Sequence, residues 1–314
     1  MFSDYTDEEL SSQRKVSKMN RIGIFGIGAI GSVLLNYLRQ NEDNELYLFN
    51  RTTFDSLSLT HPHQEFSLPI TLSNLDDYNL DWLIICLKKY QVNSAIADIQ
   101  KLVNKKTKLA IFQNGINLSN QFIEVSEPNN ILETIIDCPV EQIGKRKFKQ
   151  LRTPLITLPK NQISDQFKAL FKNAKVNWSL SDNFKTQQWV KLIESSSIGV
   201  IQAVTEKPCI IFNDSTFLND YKILVNEAIK VALSENINFE KEFENTLIEN
   251  LLKYPSSKGS SMLYDKLNGR TLELDAKMGA IISIAKKNGV AAPLSNEYFE
   301  NLLTYNRTKT PNSD

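Results

Sequence analysis

The stretch Arg21-Ile22-Gly23-Ile24-Phe25-Gly26-Ile27-Gly28-Ala29-Ile30-Gly31 decides how this chain is read. An apolar, strand-like segment runs straight into three glycines spaced G-x-G-x-x-G. A helical pattern follows, with Ile30, Val33, Leu34, Tyr37 and Leu38 on one face. Gly26 permits a tight reversal, Gly28 leaves backbone N–H groups open to a pyrophosphate, and Gly31 lets the helix pack closely on its strand. Gly26, Gly28, Ala29, Ile30 and Gly31 are therefore the expected seat of a dinucleotide. Its pyrophosphate belongs at the helix N-terminus, where unpaired N–H groups and the helix dipole favour negative charge. The glycines alone also fit an ordinary strand-to-helix turn; their place between a strand and an amphipathic helix raises the functional reading.

A second strand-like segment, Glu45–Phe49, ends at Asn50-Arg51 and completes a βαβ-sized unit of about thirty residues. A site for NAD(H) would carry Asp or Glu at that strand end, to accept from the ribose 2′-OH. Arg51 stands there instead, and a guanidinium pairs with a 2′-phosphate that a carboxylate would repel. The pattern therefore favours NADP(H); the alternative for Arg51 is a solvated loop cation.

Outward from this unit, strand-like runs alternate with helical patterns. Strands are expected over Ile22–Phe25, Leu46–Phe49, Trp82–Leu87, Leu109–Phe112 and Ile131–Ile136, with a helix over Val92–Val103. That alternation predicts a doubly wound, mostly parallel sheet. From Gln142 to Pro159, shorter extended pieces with basic turns (Lys145-Arg146-Lys147) predict antiparallel additions at the sheet edge. A helix over Ser164–Asn173 and the segment Val176–Trp178 would close the domain, with a junction at Asp182–Lys185. Beyond it, Tyr221, Leu224, Val225, Ala228, Ile229, Ala232 and Leu233 make one apolar helical stripe. Met278, Ile281, Ile282 and Ala285 make another, stopped at Asn288-Gly289. The expected fold is α/β: an N-terminal Rossmann-type doubly wound sheet followed by an all-helical C-terminal domain. The divisions are a flexible extension (1–18), a dinucleotide domain (19–181), a helical substrate and catalytic domain (182–306) and a loose tail (307–314).

Composition narrows the function. Among 314 residues, Lys+Arg and Asp+Glu stand at 36 each, which argues against a nucleic-acid binder needing a basic face. No apolar run reaches the length of a membrane span, and no signal-peptide pattern opens the chain. Cys86, Cys138 and Cys209 are scattered, without a CxxC, and read as reduced thiols in the cytoplasm. His61 and His63, the only histidines, fall in a Pro-containing, loop-like stretch, so neither a metal cluster nor a Ser–His pair is expected.

Three further spots can carry chemistry. Asn114 follows an apolar strand, so its amide would project from the carboxyl end of the sheet, and Lys88 ends a neighbouring strand at the same rim. Asn114-Gly115 is also a common turn dipeptide, and Lys88 by itself a surface lysine. Lys191, Ser195 and Gly199 recur every four residues and share one helical face. Ser260-Ser261-Met262-Leu263, Asp265 and Glu273-Leu274-Asp275 place acids in the helical half, where one could meet Lys191 across a groove; lone acids at helix starts are also capping groups.

In order and register, residues 20 to 305 resemble the ketopantoate reductase (2-dehydropantoate 2-reductase) family. The resemblance rests on the glycine turn, Arg51, Leu87-Lys88-Lys89-Tyr90-Gln91, Asn114-Gly115, Trp189-Val190-Lys191-Leu192, Ser260–Leu263 and Glu273-Leu274-Asp275. It implies Lys191 as catalytic lysine and general acid, and Glu273 as the motif acid, catalytic and near the cofactor. It implies Asn114 beside nicotinamide and substrate, Ser261 on the substrate carboxylate, and Lys88 and Arg51 toward the cofactor. Family members carry asparagines four and eight residues after the lysine, toward the substrate hydroxyl or the lysine; this chain has Ser195 and Gly199 there. The implied activity is NADPH-dependent reduction of a small 2-keto acid, first of all 2-dehydropantoate to (R)-pantoate, which feeds pantothenate and coenzyme A synthesis. The alternatives are a paralogous reductase of another 2-oxo acid and a non-catalytic NADP(H)-binding sensor. The expected partner is the small substrate, with neither nucleic acid nor membrane, in a monomer or homodimer.

Overall fold

A computed structural model describes residues 19–61, 64–76 and 78–309. Its first layer is a five-stranded sheet in which every neighbouring pair is parallel. β1 (Asn20–Phe25) leads through the glycine turn into α1 (Ala29–Leu38) and back to β2 (Asn44–Phe49). Ile22 and Ile24 are fully buried, and Phe25 nearly so, because helices cover both faces of a parallel sheet.

The chain then departs from expectation. The stretch read as a loop around the histidines is a β-hairpin, β3 (Ser56–His61) with β4 (Gln64–Pro69). Leu57, Leu59 and Leu68 are buried from it, and that alternation outweighs the proline as a local signal. His61 ends β3, and His63 lies outside the described residues. β5 (Trp82–Ile85) stops two residues short of the predicted Leu87. Lys88 consequently precedes α2 (Lys89–Leu102) as its N-cap instead of ending the strand.

β6 (Lys108–Ile111) pairs with β7 (Ile131–Glu133), and the sheet order is β2-β1-β5-β6-β7. The run predicted as one strand over Ile131–Ile136 is two. At Thr134 both the backbone N–H (3.2 Å) and the hydroxyl (2.8 Å) close on the Ile111 carbonyl, and β8 (Ile135–Asp137) leaves for another sheet. β9 (Val140–Gly144) and β10 (Lys147–Gln150) join the β3–β4 hairpin in a separate sheet, ordered β4-β3-β10-β9, rather than extending the parallel edge. β11 (Leu155–Pro159), α3 (Gln162–Ala169) and β12 (Asn177–Ser181) add a third sheet, ordered β12-β11-β8.

From Asp182 onward the chain is helical: α4 (Phe184–Thr205), α5 (Ser215–Ser234), α6 (Phe243–Lys253), α7 (Ser261–Leu267), α8 (Met278–Asn288) and α9 (Pro293–Arg307). The long α4 is the axis. Trp189, Ile193, Val200 and Ile201 are fully buried in one core with Tyr221, Leu224 and Val225 of α5 and Ile281 of α8. Gly289 ends α8 at φ +66°, the left-handed C-cap expected after Asn288. Ile116, just past β6, belongs to this helical core, so the loop carrying Asn114 is docked against the second half.

Candidate active site

At the glycine turn, Gly26 adopts φ +97°, and a Cβ there would stand 3.1 Å from the Cys86 carbonyl carbon. A Cβ on Gly31 would run into the carbonyl oxygen of Gly26, so helix and strand meet only because that residue has no side chain. Gly28 differs. Its φ is −92° and an added Cβ would find nothing within 4 Å, so neither strain nor a neighbour in the chain demands glycine. Gly28 is the N-cap of α1, which has no side-chain cap, and Ala29 and Ile30 begin its first turn. Open space over uncapped helix N–H groups is a cradle that fits a pyrophosphate.

Asn50 fastens this turn to the end of β2. Its Oδ1 accepts from the Ile27 N–H at 3.2 Å, and the Gly26 N–H donates to the Phe49 carbonyl at 2.8 Å. Arg51 follows, exposed. Beside it lies a residue that sequence reading did not select. Arg146, in the β9–β10 turn, stacks over the Phe54 ring at 4.1 Å and donates to Thr52 Oγ1 at 2.7 Å. No local motif marks Arg146, because it arrives from a different sheet.

The two halves meet along the carboxyl ends of β5 and β6. The Lys88 ammonium pairs with Asp265 of α7 at 3.0 Å, and Arg270 holds the other oxygen of that carboxylate at 2.8 Å. Asn114 Nδ2 donates to Glu273 Oε2 at 3.0 Å. Lys191 rises from α4 into a crevice walled by Asn114, Thr134, Ile135, Gln188 and Ser195. Its ammonium donates to the Ile136 carbonyl. Of the acids of the helical half that could meet Lys191, Glu273 accepts from Asn114 and acts on Lys191 through its charge. Burial pushes Lys191 down to about 8; Asp137, Glu273 and Glu194 resist, and the Lys277 charge adds to the fall.

Gln188, one turn before Lys191, donates to Glu133 at 2.6 Å, which ties α4 to β7 and fixes the lysine's approach. Ser261 opens α7, where its hydroxyl accepts from Lys277 at 3.1 Å. Lys277 also escaped sequence reading; its one signal is a lysine between Ala276 and Met278, at the head of an apolar run. Gly199 faces Met262, whose sulfur lies 3.0 Å from where a Cβ would be. Among the described residues, no group of three His, Cys, Asp or Glu side chains converges to hold a metal, and no helix is long and apolar enough to cross a membrane.

A dinucleotide cradle on a parallel sheet, facing a helical half that offers a desolvated lysine, defines a two-domain oxidoreductase of the nicotinamide-dependent class. Residues 22–162 match the family described as ketopantoate reductase PanE/ApbA, and residues 183–305 match the C-terminal part of the same family. The chain belongs to the ketopantoate reductase family, and with it to the NADP-dependent oxidoreductases acting on CH–OH groups. It is 25% identical over 277 residues to a 2-dehydropantoate 2-reductase of Caulobacter vibrioides, covering 88% of this chain and 95% of that one. It is 27% identical over 219 residues to the Pyrococcus horikoshii enzyme of the same name, covering 68% and 72%. A dimeric ketopantoate reductase of Staphylococcus aureus shares the fold at TM-score 0.82 and 20% identity, covering 92% of this chain and 99% of that one. A D-mandelate dehydrogenase solved with NADH and anilino(oxo)acetate shares it at TM-score 0.83 and 21% identity, covering 92% and 99%.

Proposed function

We propose that this protein reduces a small 2-keto acid with NADPH, 2-dehydropantoate to (R)-pantoate first among them, with Lys191 as general acid. One observation carries the reading: a desolvated ammonium on α4 at a crevice whose far wall is Asn114, at the carboxyl end of the parallel sheet. In this reading residues 19–181 hold NADP(H), through Gly26, Gly28, Ala29, Ile30, Gly31, Arg51, Lys88, Asn114 and Glu273, and residues 182–306 complete the substrate site. When bound, the reduced nicotinamide supplies a hydride to the keto carbon.

The chain's own residues do the rest. The Lys191 ammonium stabilises negative charge on the carbonyl oxygen and passes it a proton, help worth on the order of 10²–10⁴-fold. Glu273 orients the Asn114 amide by accepting from it and adds the negative charge that favours a protonated Lys191. Ser261 and Ser195 offer hydroxyls to the substrate. The cytoplasm is the proposed compartment, supported by three free thiols at Cys86, Cys138 and Cys209. A monomer or homodimer is the proposed state; the S. aureus relative is described as dimeric.

Ser195 and Gly199, with Met262 packed against the latter, favour a second reading: the same reaction on a different 2-oxo acid. Initial rates of NADPH consumption with ketopantoate and a panel of 2-keto acids, with NADH as control, test both. Ketopantoate is expected to lead in kcat/KM; another acid ahead by more than tenfold selects the second reading. NADPH binding without reduction of any carbonyl compound would leave the protein a sensor.

A further inference from the structure

Lys277 closes the turn after Glu273 and stands at the N-cap of α8, only 3% exposed. Taking an ammonium out of water is costly unless an anion compensates it. The nearby carboxylates are engaged elsewhere: Asp265 holds Lys88 and Arg270, and Glu273 accepts from Asn114. Among the described residues Lys277 forms no ion pair within 4 Å, and its side-chain hydrogen bond goes to Ser261 Oγ at 3.1 Å.

Ser261 is the reverse case, an exposed hydroxyl backed by a buried charge. Its oxygen accepts from Lys277, so its own O–H is left to donate outward to an acceptor. Ser261 and Asp265 are four residues apart and share a face of α7. Because Asp265 reaches Lys88 at the strand rim, that face is turned toward the other half of the molecule. The Lys277 charge is also felt by Lys191, so two ammonium groups share a poorly solvated region in which Glu273, already accepting from Asn114, acts on both through its charge without pairing with either.

We propose that Lys277 backs Ser261, the serine that the family resemblance already sets on the substrate's carboxylate, as the cationic half of a clamp, which leaves Lys191 to serve the carbonyl oxygen alone. The proposal rests on the 2-keto acid reading above and assigns this chain a specificity-determining cation. Lys277 acts directly on the carboxylate or, as a positioning residue, by polarising the Ser261 hydroxyl. Either way the site prefers a 2-keto acid over its uncharged ester.

The test uses the full chain with NADPH and oxamate, an inert 2-keto acid isostere that needs no turnover. Loss of a charge-assisted hydrogen bond is expected to weaken oxamate roughly 10- to 100-fold in Lys277→Met, with NADPH affinity changed less than about threefold. Lys277→Arg is expected to recover part of the loss. In turnover, the ratio of kcat/KM for a 2-keto acid to that for its methyl ester collapses, chiefly through KM. Unchanged oxamate affinity, or equal losses for acid and ester, overturns the clamp. Should Lys277→Met fail to bind NADPH, Ser261→Ala carries the test, with the same selective loss expected and unaltered oxamate affinity overturning it. If the unsubstituted chain reduces no 2-keto acid yet binds oxamate through Lys277, the reductase reading falls while the clamp stands.

Discussion

Lys88 and Asp265, 177 residues apart in sequence, form a 3.0 Å ion pair that bridges the parallel sheet and the helical half. Burial works against the Lys88 charge, but Asp265 and then Glu273 outweigh it, and the lysine's pKa is raised. A raised pKa stabilises the fold fully below the ordinary lysine value of about 10.4, and is lost only as pH climbs through the folded value. Asp265→Asn leaves Lys88 and Arg270 facing each other without an anion, a change expected to cost about 3 kcal/mol. Thermal unfolding should show that deficit undiminished from pH 6 to 9. A deficit that fades by pH 9 would remove the ion pair as its cause.

Lys191 carries the opposite sign. Burial holds it at about 8, so between there and about 10.4 the unfolded chain binds more protons than the folded one. Stability attributable to this group therefore rises with pH across that window, against a field set by Asp137, Lys277, Glu273 and Glu194. Lys191→Met should be the more stable protein at pH 7, with its advantage narrowing above pH 8. In activity the ammonium is needed for reduction, so kcat/KM should fall as pH rises through about 8. Lys191→Ala should lose roughly 10²–10⁴-fold in kcat while NADPH still binds. A reduction profile flat to pH 10 would take Lys191 out of the proton transfer.

Two glycines of one turn should fail in different ways. Gly31→Ala drives a methyl into the Gly26 carbonyl and is expected to destabilise the fold by about 1–3 kcal/mol or more. Gly28→Ala meets only open space and gives up only the modest preference of an N-cap for glycine, so it should lower the melting temperature by no more than about 1–3 °C while weakening NADPH. Calorimetric unfolding beside an NADPH titration separates them; a Gly28 variant that binds NADPH unchanged would move the pyrophosphate elsewhere.

Arg51→Ala should weaken NADPH by about 10- to 100-fold and NADH hardly at all, the effect of removing one charge-assisted contact to a phosphate. Equal weakening of the two coenzymes would separate Arg51 from the 2′-phosphate and point to Arg146, the guanidinium held nearby by Phe54 and Thr52.

What was legible in the sequence followed the range of the interactions involved. The βαβ turn is local: strand, glycines and amphipathic helix are contiguous, so the tight reversal at Gly26 and the close helix packing at Gly31 could be read from their spacing. The helical half was legible because α5 and α8 carry unbroken apolar stripes. The split at Thr134 was not, because it depends on two hydrogen bonds to Ile111, a residue distant in sequence. Lys88, Asn114, Lys191 and Ser261 were singled out from position and resemblance, but the groups they contact were not. That Glu273 holds Asn114 depends on how the two halves close on each other, and that Lys277 stands behind Ser261 depends on how α7 meets the start of α8; no periodicity encodes either contact.

Ser195 and Gly199 stand where the family resemblance implies asparagines, and the structure divides that difference into two unequal parts. Ser195 lines the crevice, so Ser195→Asn adds an amide at the crevice wall rather than inside the helical core. Gly199 is buried with the Met262 sulfur 3.0 Å from any added Cβ, and Gly199→Asn must displace a side chain that is itself 1% exposed. Ser195→Asn should therefore leave the melting temperature near that of the unsubstituted chain. It should raise the kcat/KM ratio of ketopantoate to 2-ketoisovalerate, which lacks the hydroxyl, by about 10-fold, the scale of one hydrogen bond to a substrate. Gly199→Asn should cost about 1–3 kcal/mol of stability from overpacking. Most of that loss should be relieved when Met262→Ala is introduced beside it, a non-additivity that a double-mutant cycle measures directly. If Ser195→Asn shifts neither the ratio nor KM, residue 195 does not reach the substrate, and the choice of 2-keto acid must be made by the wall that carries Asn114 and Ile135.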